Sequence, residues 1–190
     1  YLSALPNLDL TQLNTSSVTN MNSMFKQMSR ISSLNFASFD TSNVTDFGEM
    51  FRGIVIGTQA LDLSNFSTSK AVAMPMMFDG TNLTGNLDLS HFDTSHVIDM
   101  SNMFSSSVLL NSVNLSSFNT FAVKNMAGMF YKTFGMTQID ISKFNTTNVQ
   151  FMQDMFRWSG VVTIYASNLF NTGSVIDSSR MFMDAEHLVG

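Results

Sequence analysis

An α/β fold of stacked repeats, a right-handed leucine-rich-repeat-like solenoid, is what this sequence predicts, and three observations predict it. The dipeptide Met-Phe returns seven times at near-constant spacing, a short alternating stretch precedes each return, and apolar residues then recur at three- and four-residue steps. Met-Phe falls at Met24-Phe25, Met50-Phe51, Met77-Phe78, Met103-Phe104, Met129-Phe130, Met155-Phe156 and Met181-Phe182. A second series, Phe39, Phe66, Phe92, Phe118, Phe144 and Phe170, keeps the same register, with Leu13 in the first copy. Counted from Leu8, the units are 8–33, 34–60, 61–86, 87–112, 113–138, 139–164 and 165–190, so a seven-residue lead (1–7) and seven copies fill the 190 residues as one repeat-array domain.

The elements follow in order within the clearest copy. Leu87 and Leu89 alternate with Asp88 and Ser90, the period-two pattern of a short strand with one buried face. Thr94 comes next and has counterparts at Thr15, Thr41, Thr68, Thr120, Thr146 and Thr172, suited to turning the chain or capping a helix. Val97, Met100, Met103 and Phe104 then fall at i, i+3, i+6 and i+7, the apolar stripe of a two- to three-turn helix. Pro75 interrupts that stripe in one copy and is expected to shorten or distort its helix. A single unit cannot hold itself together. Its apolar side chains contribute on the order of 10 to 20 kcal/mol gross, which ordering the chain at roughly 1.5 kcal/mol per residue outweighs. Stacking answers this, with each strand pairing in parallel with the next into a sheet on one face.

Composition narrows the function. With 9 basic and 14 acidic side chains the net charge is 9 − 14 = −5, which argues against nucleic acid as a partner. No apolar run reaches the length of a membrane span, so no membrane insertion is expected. There is no Cys, so disulfides, thiolate catalysis and Cys-ligated zinc are excluded. His91, His96 and His187 are the only histidines, and neither a zinc-protease motif, a phosphate-cradling loop nor a nucleophile elbow occurs. The reading is of a non-enzyme with no cofactor and no metal centre.

Laid out this way, the repeats resemble the BspA-like bacterial surface proteins, whose 26-residue repeat, first noted in mycoplasma lipoproteins, runs close to LDLSxFDTSNVTDMSxMF. Residues 34–51, 61–69 and 87–104 are near-verbatim copies. The resemblance implies a secreted, cell-surface or cell-wall protein of bacteria that adheres to host or community macromolecules, protein or glycan. A passive spacer that displays another adhesive domain is the alternative. Many repeats of that family carry Cys three residues after Met-Phe, where this chain has Met28, Ile54, Thr81, Ser107, Thr133, Ser159 and Ala185. The chain reads as a segment of a longer surface protein. In the last unit Ile164, Tyr165 and Ala166 replace Leu-Asp-Leu one residue out of register, so a bulge or the end of the array is expected there.

Positions that break a repeat are informative because packing does not require them. Phe121, Tyr131, Phe134, Trp158 and Tyr165 do so, all in the last three units, and form a candidate ligand-binding set. Two readings of them stand side by side: a surface that stacks on sugars or anchors a protein, and aromatics that cover the loop layer or the end of the array. The exposed strand position gives a second candidate, a ladder that includes Asp62, Asp88, Asn114 and Asp140. Rungs about 4.8 Å apart could recruit calcium, but a flat ladder supplies few of the six to eight oxygens needed, so local turns and hydration are the simpler expectation. The insertion at 52–60 is expected to tuck or bulge as a looser loop, and uncapped terminal coils allow end-to-end self-association.

Overall fold

In the computed structural model, which describes residues 8–29, 31, 33–56 and 61–188, the repeats lie on one another through backbone hydrogen bonds between residues 23 to 28 apart. The lead at 1–7 and positions 57–60 of the insertion lie outside the described residues. One line of parallel bridges, Asn20, Asp46, Ala73, Asp99, Asn125, Phe151 and Asp177, touches all seven coils. The extended segments are brief: β1 (Gly85–Asp88), β2 (Leu110–Asn114), β3 (Gln138–Asp140) and β4 (Thr163–Tyr165). β1 pairs in parallel with β2, and β3 with β4, as two separate two-stranded sheets. The expected shift in the last unit takes the form of pairing 25 apart, with Ile139 opposite Ile164 and Asp140 opposite Tyr165.

The α/β assignment is overturned: among the described residues there is no helix. The stripe read as helical is a run of tight turns. Around Met50, the N–H groups of Phe47, Glu49, Phe51 and Gly53 donate to the carbonyls of Ala73, Pro75, Met77 and Asp79 in the next coil at 2.7–2.9 Å. The alternate N–H groups of Met50, Arg52 and Ile54 close turns onto Phe47, Glu49 and Phe51. A helix would send every one of these donors four residues back along its own chain. Here four of the seven serve the neighbouring coil. The third residues of the first and last turns, Glu49 and Gly53, have φ of 53° and 63°, as a turn with a left-handed third residue demands. Successive turns still place Val44, Phe47, Met50, Phe51 and Ile54 inside, so turns and a helix print the same apolar spacing.

Pro75 accordingly breaks no helix. In neighbouring coils the residue at this point donates its N–H to an Asp two positions earlier, as Gly48 does to Asp46 and Ser101 to Asp99, both at 2.8 Å. Where Pro75 removes the donor, Ala73 replaces the acceptor, and the Pro75 carbonyl still accepts the Glu49 N–H. Such Asx turns recur at three corners of a coil, for example at Asp88, Asp93 and Asp99.

The core is a set of columns running through the stack. Phe25, Phe51, Phe78, Phe104, Phe130, Phe156 and Phe182 stack ring on ring at centroid spacings of 5.4 to 5.8 Å. Met50, Met77, Met103, Met129 and Met155 are fully buried beside them, the flexible thioether filling gaps that differ from coil to coil. The Thr column is buried rather than capping: Thr15, Thr41, Thr94, Thr120 and Thr146 each bond both the carbonyl and the N–H of one residue in the next coil.

Candidate functional site

The turn runs after Met-Phe lie side by side in neighbouring coils, and Tyr131 meets Trp158, the residue one position beyond its own counterpart Arg157. Their ring centroids lie 5.7 Å apart at 42°. Trp158 occupies the last left-handed turn position, with φ of 54°, where other coils carry Gln27, Gly53, Gly80 and Ser106. A bulky residue there is strained by the approach of Cβ to the carbonyl. Lys132 Nζ sits 4.5 Å from the Trp158 ring and 5.2 Å from that of Tyr131, and the Arg157 guanidinium 4.2 Å from Trp158. The indole thus has two cations within cation–π distance. Phe134 is exposed and lines, with Trp158, Ser159 and Glu186, a groove of about 480 Å³.

Three of the five candidate aromatics therefore meet. Phe121 does not join them: it is 56% exposed, follows the Asx turn of Asn119 and accepts Asn148 Nδ2 at its carbonyl. Tyr165 stands on β4 beside Asp140 and shares neither the groove nor a ring contact with the other four.

Sequence reasoning missed the polar residues around the pair. Asp154 takes two hydrogen bonds from Arg180, at 2.7 and 2.9 Å, and one from Arg157 at 3.3 Å. These guanidiniums, Arg180 first, hold its carboxyl below the usual carboxylate range. Beside them Asn102, Gly128, Tyr131, Gln153, Asp154 and Arg157 border a notch of about 250 Å³. Among the described residues, three buried side-chain polar atoms lack a hydrogen-bond partner: Gln153 Oε1, Arg157 Nε and Ser159 Oγ. All belong to the coil that carries Trp158. The available signal was the pair Ala127-Gly128, small where other coils carry Asn22-Ser23, Ser101-Asn102 or Gln153-Asp154.

The ladder is built of turns. Asp62, Asp88, Asn114 and Asp140 each accept the N–H two residues on, from Ser64, Ser90, Ser116 and Ser142. The Ser64 and Ser90 N–H groups lower the Asp62 and Asp88 carboxyls, and Ser142 lowers that of Asp140. Among the described residues no three His, Asp or Glu side chains are placed to hold a metal ion. His91 is tied to the preceding coil, with Nε2 2.8 Å from the Leu63 carbonyl.

The family model described as "Mycoplasma protein of unknown function, DUF285" matches residues 3–88 and again 80–189. No curated protein and no solved structure matches the chain.

Proposed function

We propose, from the premise that this chain belongs to the DUF285 family of mycoplasma proteins, that it is a BspA-like extracellular module displayed on the bacterial surface. It adheres to host or community macromolecules through the edge formed by its turn runs. The binding region is the Tyr131–Trp158 pair with Phe134.

One observation carries this reading: the departures from the repeat that stability disfavours gather around that pair. Each buried unpartnered polar group costs about 1–3 kcal/mol, and a left-handed Trp about 1–2 kcal/mol. The left-handed turn is common to the coils, but at the Trp158 position they carry Gln27, Gly53, Gly80, Ser106, Lys132 and Asp184, none of them aromatic, and among the described residues no other coil leaves a buried side-chain polar atom unpartnered. The hydroxyls of Ser107 and Thr133, equivalent to that of Ser159, donate to the Phe78 and Phe130 carbonyls. Unmet hydrogen bonds gathered in one coil beside a tryptophan on a left-handed turn are what a recognition surface tolerates and a spacer has no use for.

The test is direct binding of the array to immobilised mucins, glycans and extracellular-matrix proteins, beside a Tyr131→Ala, Phe134→Ala, Trp158→Ala variant of matched melting temperature. Saturable binding lost in the variant supports the module. A folded array that binds nothing on the panel replaces it with the spacer reading.

A further inference from the structure

We infer that the notch above Ala127 and Gly128 is a subsite for one neutral sugar ring of a glycan, an inference that rests on the adhesive reading and assigns it a ligand class. Its floor exists because one coil lacks a side chain. At the first left-handed turn position the other coils carry Ser23, Glu49, Met76, Asn102, Asp154 and Arg180, whereas this coil has Gly128, with φ of 60°. A Cβ on Gly128 would lie 2.2 Å from Asn102 Oδ1 and close the floor.

Size, charge and hydrogen bonding agree on the occupant. About 250 Å³ is below the usual range for a drug-sized ligand, so one ring fits where a peptide segment does not. The charged groups at the rim already neutralise one another, Asp154 with Arg180 and Arg157, and Arg157 also with Asp184 at 3.7 Å. What lacks a hydrogen bond is one acceptor, Gln153 Oε1, and one donor, Arg157 Nε, which faces Asp184 Oδ2 at 3.7 Å, beyond hydrogen-bond distance. A sugar hydroxyl both donates and accepts, so rotation of the Gln153 and Arg157 side chains toward the notch lets a pair of adjacent hydroxyls satisfy them. The Tyr131 ring walls the notch and offers an apolar surface to the C–H face of such a ring.

Trp158 is the chain's single tryptophan and touches both Tyr131 and Arg157, so its fluorescence reports the notch. The probes are the methyl glycosides of galactose, mannose, fucose, N-acetylglucosamine and N-acetylgalactosamine, with N-acetylneuraminic acid as the charged comparison. At least one neutral glycoside is expected to give a saturable change. Gln153→Ala should weaken it about tenfold, and Gly128→Asn should abolish it by restoring a side chain that tolerates the left-handed conformation. Phe121→Ala, away from the notch, should leave it unchanged.

No saturable change with any neutral glycoside in the folded array overturns the proposal. So does binding that survives Gly128→Asn at an unchanged melt, or binding confined to the charged sugar. Should Gly128→Asn fail to fold, Gln153→Ala decides alone, and undiminished affinity there overturns the proposal. Capture of matrix proteins that requires Trp158 but is indifferent to Gly128→Asn retains the adhesive module while removing the sugar subsite. A folded, unsubstituted array that binds neither the matrix proteins nor any glycoside removes both.

Discussion

The Thr94 hydroxyl donates to the Asn119 carbonyl at 3.0 Å and accepts the Asn119 N–H at 2.8 Å. Both backbone groups of one residue are thereby answered by a single buried side chain of the coil before it. Thr94→Val keeps the shape and removes both bonds, so a loss of about 1–3 kcal/mol is expected. Thr94→Ser should lose much less. Chemical denaturation followed by fluorescence and circular dichroism separates the two variants, and equal losses would show that the methyl group rather than the hydroxyl matters.

The methionine columns predict an order of oxidation. Met24 and Met183 are 37% and 47% exposed, while Met50, Met77, Met103, Met129 and Met155 have no exposure. Limited peroxide treatment followed by peptide mass mapping should find sulfoxide at Met24 and Met183 first. Forcing oxidation of the buried set places a polar oxygen in the core, and the array should then melt cooperatively at lower temperature.

Acid should unfold the array within a narrow window. The carboxyls of Asp62, Asp88 and Asp177 are lowered chiefly by the N–H groups of Ser64, Ser90 and Ser179. A folded-state pKa below the unfolded value of about 3.9 gives a stabilisation that is complete above that value and lost as pH falls through the folded one. Asp79 acts with the opposite sign, because burial outweighs Ser105 and Arg52 and raises its carboxyl. Asp62→Asn with Asp88→Asn and Asp177→Asn keeps the turn acceptors, as Asn114 does, and should leave the neutral melt unchanged while flattening the acid limb. Calcium should leave the melts of parent and variant alike unmoved.

Trp158→Gly separates stability from recognition. The substitution removes the ring contacts with Tyr131, Lys132 and Arg157 and also relieves a left-handed tryptophan. Each effect is on the order of 1–2 kcal/mol and they oppose one another. The melt is expected to move little while binding to the panel is lost. A large fall in stability with binding retained would assign Trp158 to packing.

The candidate site was legible in part. Tyr131, Phe134 and Trp158 stand out because no other coil carries an aromatic at their positions, and the structure groups them. Phe121 and Tyr165 broke the same repeat but sit on other corners of their coils, which spacing along the chain does not reveal. Gln153 and Arg157 look ordinary in sequence. Their unpaired atoms exist only because of what fails to face them once the coils stack.

The amino-acid order by itself determined the repeat, its register and the residues that form the core, because apolar side chains recurring every 26 residues can be buried only against their own counterparts. Helix or turn was decided by the tertiary structure. Val97, Met100, Met103 and Phe104 are buried under either conformation, so their spacing carries no information about where the N–H groups point. The neighbouring coil supplies carbonyls at each alternate residue, and donors such as those of Phe78 and Gly80 reach across to Met103 and Ser105 instead of closing a helical turn. An acceptor 25 residues away in sequence and under 3 Å away in space is a property of the assembled stack, and it is what makes this fold one of turns.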